Sequence, residues 1–437
     1  PGPVLLLPSG AGITIDTNSS NNNGKVTFTS TVDSSAANAG KTLTVLSGSG
    51  AVDFGGAVGA TATKHLGGLS VNATGTDSGT IDIVAIGTAT DPGVETGNVV
   101  LGTSNTTGVD LDGTIYNVGS GGDITITSTS SGQAITMGSA GATTVKTANG
   151  TINFDTGTIS TAHNLDISSA GGAISINAVR GSGTATSLTV NADSGTTKTE
   201  TISIGLIGSG NEIGAVTLDG ADGVTLKGNI TLANAAGADL DIDGKAYISG
   251  DVTITTDNAA HDGIIDFSTT IDGVTETSNG GNANVDDNLV ILAGDSEGTQ
   301  GGSLLLGGII GGGVHLDSLK INATDGDLGF NVPQIGDGTN AGVSGATQIG
   351  NSLTTNDIVF TGQTYDFGGT VTVTGDGGAD AFQFTGTDPI TFTSAGDVNF
   401  TGTGNDLIKL ADLKDLTITT ATALSLIHIS EPTRRTQ

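Results

Sequence analysis

Cysteine and tryptophan are absent from this 437-residue chain, Met occurs once and Tyr three times. With no thiols there are no disulfides and no thiolate metal sites, which suits a protein exported unfolded but also occurs in the cytosol. Glu is scarce too, since Asp supplies 38 of the 44 acidic residues. Glu, Lys and Met, residues that favour helix, are all thin on the ground. Basic residues are rarer still: 13 Lys and Arg leave a formal charge of −31, and Arg180 is the only arginine before the last few residues. That balance excludes nucleic acid as a partner, because no basic patch exists to displace counterions from phosphate. The charge itself reads as solubility and mutual repulsion of an exposed surface. No apolar run approaches the roughly 20 residues that span a bilayer. The opening "PGPVLLLPSGAG" lacks a Met and a basic n-region, so it is not a signal peptide, and the true N-terminus is expected upstream.

What the chain has is Gly, 73 of them, with Asp, Asn, Ser and Thr between very short apolar alternations. Val26–Phe28 (VTF), Ile124–Ile126 (ITI), Val252–Ile254 (VTI) and Leu416–Ile418 (LTI) each put two side chains on one face and then reach turn residues. Five such triplets, starting at Ile174, Leu188, Ile202, Val216 and Ile230, follow one another at a constant step. The step is either one short coil or one face of a longer one. Both belong to stacked rungs rather than to a closed globule.

Longer repeats overlie the short ones. The core L-x-[VI]-N-A recurs at Leu69, Leu188 and Leu319, at nearly equal spacings. A second marker, G-x-x-Y followed by a strand, keeps almost the same beat and holds all three tyrosines, Tyr116, Tyr247 and Tyr365. Repeats of this length built from several rungs mean a solenoid or a string of domains. The spacing divides the chain into a partial repeat over 1–68, repeats over 69–187 and 188–318, and an incomplete one over 319–423. Tandem immunoglobulin-like sandwiches are the structural rival, but they want longer strands and a larger core. A parallel β-helix needs only small aliphatics stacked rung on rung. Asn72, Asn177, Asn191 and Asn322, each just after a strand, are placed to form a ladder of side-chain amides at a coil corner. At about 4.8 Å per rung and ~20–25 residues per coil, the chain would form a rod of roughly 80–100 Å.

These phrases resemble the repeats of filamentous haemagglutinin-type adhesins and related autotransporter passengers. "VTFTSTVD" at Val26–Asp33, "VDFGGAVGA" at Val52–Ala60, "LSVNA" at Leu69–Ala73 and "TGQTY…GTVTVTG" at Thr361–Gly375 carry the likeness. It covers the chain up to about Ala423. The resemblance implies a right-handed parallel β-helix (a β-solenoid) on a bacterial cell surface, extracellular and used for attachment or aggregation. Its partners would be a surface receptor or glycan, or further copies of itself, with an outer-membrane secretion partner outside this segment.

Chemistry is sparse. β-Helical polysaccharide lyases and hydrolases need clustered carboxylates and a basic residue to stabilise developing charge. Arg180 and ten lysines are spread thinly, and pairs such as Asp286-Asp287-Asn288 read as turns. His65, His163, His261 and His315 read as polar turn residues, with His65 and His315 at equivalent repeat positions. "GDGGADAF" at Gly375–Phe382 resembles a single copy of a calcium nonapeptide, with Asp376 and Asp380 in its acidic loop, but no second copy follows. Diffuse Ca2+ binding by so acidic a surface names no residues. Thr-x-Thr strands such as Thr125–Thr127 and Thr253–Thr255 raise ice binding, which requires many aligned rungs. No catalytic, cofactor-binding or metal-binding residue is therefore assigned.

The last fourteen residues, "LSLIHISEPTRRTQ" from Leu424 to Gln437, do not share this chemistry. Leu424 to Arg434 resembles a translated transposase adapter from short-read sequencing libraries. The stretch 424–437 is accordingly expected to be non-native, and His428, Arg434 and Arg435 enter no site. The rest reads as an internal piece of a longer protein.

Overall fold

The computed structural model describes residues 2–421 except 8–11, 19–22, 36–39, 76, 130–134, 139, 155, 182–185, 193–199, 257–261, 276–286, 294–302, 324–329, 352–356, 376–380, 387–388, 402–406 and 411–414. Every described element is a strand, and the strands stack in parallel as a β-solenoid of about 13 turns. Immunoglobulin-like sandwiches pair their strands antiparallel, so the string-of-sandwiches alternative does not describe this chain. The chain divides into two compact units, Pro1–Val224 and Thr225–Gln437.

In the first unit each coil passes through three walls in turn. The first wall stacks Gly12–Asp16, Thr42–Leu46, Gly68–Val71, Val99–Leu101, Ile124–Ile126 and Ile152–Phe154. The second stacks Val26–Phe28, Val52–Phe54, Ile81–Ile83, Val109–Leu111, Ile135–Met137 and Ile159–Thr161. The third begins with Val4–Leu6 and Val32–Ser34 and ends with Ile115–Val118, Thr143–Thr147, Leu165–Ser169, Leu188–Asn191 and Val216–Asp219. Between those ends it is held by single bridges, Val32 to Val58 to Ile86 to Tyr116 and Leu66 to Val94 to Val118.

The alternation seen in the sequence is the physical cause of this arrangement. Residues such as Val52, Phe54, Ile81 and Ile83 point inward and are at most 1% exposed, while the polar residue between them faces out. Each inward side chain sits on its equivalent one coil along, as Phe28 does on Phe54 with ring centroids 4.6 Å apart. Coil length varies within this unit: Ile159 pairs with Val179, a short coil, whereas Leu69 pairs with Val99, a longer one. The longer coils exceed the expected ~20–25 residues.

The constant step of the five triplets is now explained. Ile174 pairs with Ile202 on the first wall, and Leu188 pairs with Val216 on the third. Successive triplets therefore alternate between walls, and one full coil is two steps.

The second unit is built the same way from Asp251–Thr255 onward. Its third wall again contains single bridges, Ile271 to Ile310 to Ile335 to Tyr365 and Leu316 to Val343 to Phe367. Leu66 matches Leu316, Val94 matches Val343 and Tyr116 matches Tyr365, each pair separated by nearly the same length of chain. Both tyrosines are buried and tied alike. Tyr116 Oη accepts from Gly113 N at 2.8 Å and donates to Ile83 O, while Tyr365 Oη accepts from Gly362 N at 2.6 Å and donates to Val332 O. Burial raises both phenol pKa values. Tyr247 differs: it lies between buried Ala246 and Ile248, faces outward and pairs with Asp272. Leu188 likewise lies on the third wall, whereas Leu69 and Leu319 lie on strands of the first kind. The copies that coincide in three dimensions are the outer two of each sequence marker.

The expected amide ladder takes another form. Asn72 is buried with φ 45° and accepts from Ser47 N at 2.7 Å. Asn177 donates to Gly157 O, and Asn191 donates to Asp219 Oδ2, each bond reaching the neighbouring coil. None of these partners is another Asn, because the residue one coil along differs at each corner. The side chain of Asn322 lies outside the described residues.

Candidate functional site

Among the described residues no group of three His, Cys, Asp or Glu has the arrangement to hold a metal ion. His163 stands exposed at a turn, and His65 and His315 each precede a bridged leucine in their own unit. His261, Asp286, Asp376, Asp380 and the tail 424–437 lie outside the described residues. Arg180 pairs in register with Ser160 on the second wall. The outward column of the first wall runs Thr14, Thr44, Ser70, Val100, Thr125, Asn153, Ser175 and Ser203. It is a mixed column rather than a threonine array.

Two features do concentrate charge. The first is a ladder of aspartates on the second wall. Asp53, Asp82 and Asp110 occupy the outward position of three successive coils and are paired in register. Adjacent rungs are about 4.8 Å apart, so like charges stand directly opposite one another, an unfavourable arrangement. Lys25 relieves one end through a bond to Asp53 Oδ2 at 3.2 Å. Asp82 and Asp110 each keep one buried oxygen without a hydrogen-bond partner. Burial, then Asp112 and then Asp53, raise the pKa of Asp82. For Asp110 burial, Asp112 and Asp82 push it up to about 6, and its side chain hydrogen-bonds Asp112. The second unit has a lesser version in which Asp241 pairs with Asp266, both raised chiefly by burial. The signal for the ladder is three triplets, Val-Asp-Phe, Ile-Asp-Ile and Val-Asp-Leu, one coil apart, but only the register shows that they coincide.

A testable consequence follows from the sign of these shifts. A carboxyl whose pKa is raised by folding binds its proton more tightly in the native state. Its stabilisation is complete below the unfolded value near 3.8 and is lost as pH rises through about 6. The shift of Asp110 corresponds at face value to about 3 kcal/mol. The group is half open to solvent, so screening leaves about 1 kcal/mol. Asp110→Asn should therefore raise the urea midpoint of the first unit at pH 7.5 and flatten its fall between pH 4.5 and 7.5. An unchanged pH slope would show that neither burial nor the neighbouring aspartates raise the pKa of Asp110.

The second feature is a cavity of about 310 Å³ on the third wall of the first unit. Its rim is the loop from Gly87 to Gly93, closed by Thr88 N donating to Asp91 O at 2.8 Å and Gly87 N donating to Val58 O at 2.8 Å. Gly87 adopts φ 71°, a left-handed conformation that glycine adopts without strain. Two side chains fasten the loop to the coils below. Asn117 Nδ2 donates to Thr88 O at 2.9 Å, and Lys146 Nζ donates to Ala89 O at 2.7 Å. Glu95 completes the rim and is held by a short contact with Nδ1 of the buried His65. Pro92 and Ala148 supply apolar lining.

Comparisons with protein-family profiles, with curated proteins and with solved structures each returned no match.

Proposed function

We propose that this chain is a stalk segment of a large secreted cell-surface adhesin of the filamentous haemagglutinin type, extracellular and without catalysis. The observation that supports this reading is the internal duplication of the coils. The same corner bridges, the same buried tyrosine and the same glycine loop occur once in each unit. Such a design extends a surface by adding coils rather than assembling one reaction centre. Its partners would be a cell-surface receptor, a glycan or further copies of the chain. Beads coated with the chain should adhere to epithelial cells or clump with one another, beyond beads carrying an unrelated protein of similar charge. Coated beads that behave like the control would sink the reading.

A second reading, a β-helical polysaccharide hydrolase or lyase, is favoured by one observation, the Asp53–Asp82–Asp110 ladder. Neighbouring carboxyls with separated pKa values can serve as acid and base. Against it stands the cation supply, since Lys25 is the one cation bonded to the ladder among the described contacts. Release of reducing ends or unsaturated products from a polysaccharide panel, abolished by Asp110→Asn, would replace the stalk reading.

A further inference from the structure

One corner of the first unit buries an acid with half its bonding capacity unused. The chain leaves the first wall after Asp16, after Leu46 and after Val71 on three successive coils. Asp77, in the turn after the third of these strands, is 1% exposed. Its Oδ1 accepts from Asn18 Nδ2 at 2.9 Å, two coils away, whereas its Oδ2 is buried without a hydrogen-bond partner. Thr103 Oγ1, one coil further on, donates to the Asp77 main-chain O at 3.0 Å and fixes its place. Asn18 is fixed through its own N–H, which donates to Asp16 Oδ1 at 2.9 Å. Asn18 thus joins two carboxylates, and neither is ion-paired among the described residues.

The coil between them makes room for this link. Gly48 adopts φ 62°, and its O accepts from Ser78 N at 2.9 Å and Gly79 N at 3.0 Å, beside Asp77. A Cβ on Gly48 would stand 2.8 Å from Asn18 Oδ1 and 2.6 Å from Asn23 Oδ1. Two amide oxygens therefore converge on the open side of one glycine. Their nitrogens are turned elsewhere, that of Asn18 to Asp77 and that of Asn23 to Ser49 Oγ at 2.8 Å. Burial first, and then the nearby charge of Asp16, raise the pKa of Asp77.

We infer that this corner binds one Ca2+ ion through Asp77 Oδ2 and the Asp16 carboxylate, with the Oδ1 atoms of Asn18 and Asn23 as neutral ligands. A buried carboxylate oxygen without a donor is costly, and a cation removes that cost. The donor set selects the ion. Every group is an oxygen, which suits a hard cation and excludes metals that want imidazole or thiolate. Two carboxylates match a divalent charge. Amide oxygens drawn from an irregular corner suit the flexible coordination of Ca2+, and Mg2+ demands a near-ideal octahedron and sheds water reluctantly. Asp16 is exposed, so water completes the shell on its side. The site needs only two acids, because amides supply the rest. Its ligands come from coils two apart, so the ion would clamp three successive coils together. The inference does not depend on the adhesion reading.

The test strips the full chain with a chelator and titrates it calorimetrically with CaCl2 at pH 7, in about 0.15 M salt to screen diffuse attraction to the acidic surface. A saturable component should appear with a Kd below about 1 mM, the range of extracellular calcium modules. MgCl2 should bind at least tenfold more weakly. Asp77→Asn keeps the side-chain shape and should weaken Ca2+ binding at least tenfold. Asp251→Asn removes the same charge from an exposed position of the second unit and should change binding less than twofold. Asp16→Asn, on the surface, should also weaken binding and decides the matter if Asp77→Asn loses its fold. Ca2+ should slow hydrogen exchange across Gly12–Asp16, Thr42–Leu46 and Gly68–Val71 and leave Asp251–Thr255 unchanged. Absence of a saturable component would overturn the inference. Equal affinity for Mg2+, or equal weakening by Asp251→Asn and the corner variants, would do the same.

Discussion

Replacing Phe360 by Ala is expected to destabilise the second unit by about 3–5 kcal/mol, the range for emptying a large aromatic site in a core. Phe360 is fully buried at the centre of a ring cluster with no counterpart among the described residues of the first unit. It stacks on Phe384 at 4.7 Å, meets Tyr365 edge-on at 5.2 Å and lies 6.1 Å from Phe392 and 6.5 Å from Phe400. The register places Phe384 directly on Phe360, and Phe392 directly on Tyr365, one coil along. The matching first-unit pair is Leu111 on Met137, smaller and without rings. Because each coil contacts only its neighbours, the loss should be local. Hydrogen exchange should accelerate across Ile358–Phe360, Thr364–Phe367 and Ala381–Phe384 and stay unchanged across Ile81–Ile83 and Val109–Leu111. Uniform acceleration through both units would show that the cluster is not a local support.

The second large effect is expected at a glycine. A Cβ at Gly93 would stand 2.3 Å from Gly87 N, 2.4 Å from Val58 O and 2.7 Å from Ile86 Cγ2. At Gly342 it would stand 2.3 Å from Gly336 N, 2.5 Å from Ile310 O and 2.8 Å from Ile335 Cγ2. Two of the three obstacles at each site are backbone atoms of the same loop or the adjacent coil, so they cannot move without breaking wall hydrogen bonds. Gly93→Ala should cost about 3 kcal/mol, the upper end for overpacking. Gly342→Ala should cost a similar amount in the other unit. Denaturant unfolding of both variants checks this, and a loss below about 1 kcal/mol in either would mean that the loop yields more easily than its contacts indicate.

Gly93 and Phe360 also mark how far the sequence can be read. Phe360 belongs to an apolar–polar–apolar triplet, so its burial is legible from the alternation alone. Its stacking on Phe384 is not, because the loops between triplets vary. In the second unit Thr347 pairs with Val371 across a short coil, while Val252 pairs with Leu289 across a coil half as long again. With no constant period, the sequence cannot say which triplet lies on which. The Asp53–Asp82–Asp110 ladder stays hidden for the same reason, as three ordinary aspartates among 38. Glu95 and Lys146 carry no motif and line one cavity only because Val94 and Val145 lie on the same wall.

The sequence by itself determined the class of this protein. Side chains alternate across a strand with period two, a local property that every triplet displays, and the Gly, Asp and Asn between them can only be turns. It also determined what is missing, namely helix formers, thiols and basic patches. Only the tertiary structure decided which rungs are neighbours. It turned the constant step of the triplets into alternation between two walls and matched Tyr116 with Tyr365 while turning Tyr247 outward. It also gathered aspartates on one wall and a charged cavity on another. Those outcomes rest on register between residues a whole coil apart, and register is set by the sum of stacked contacts rather than by any one stretch of chain.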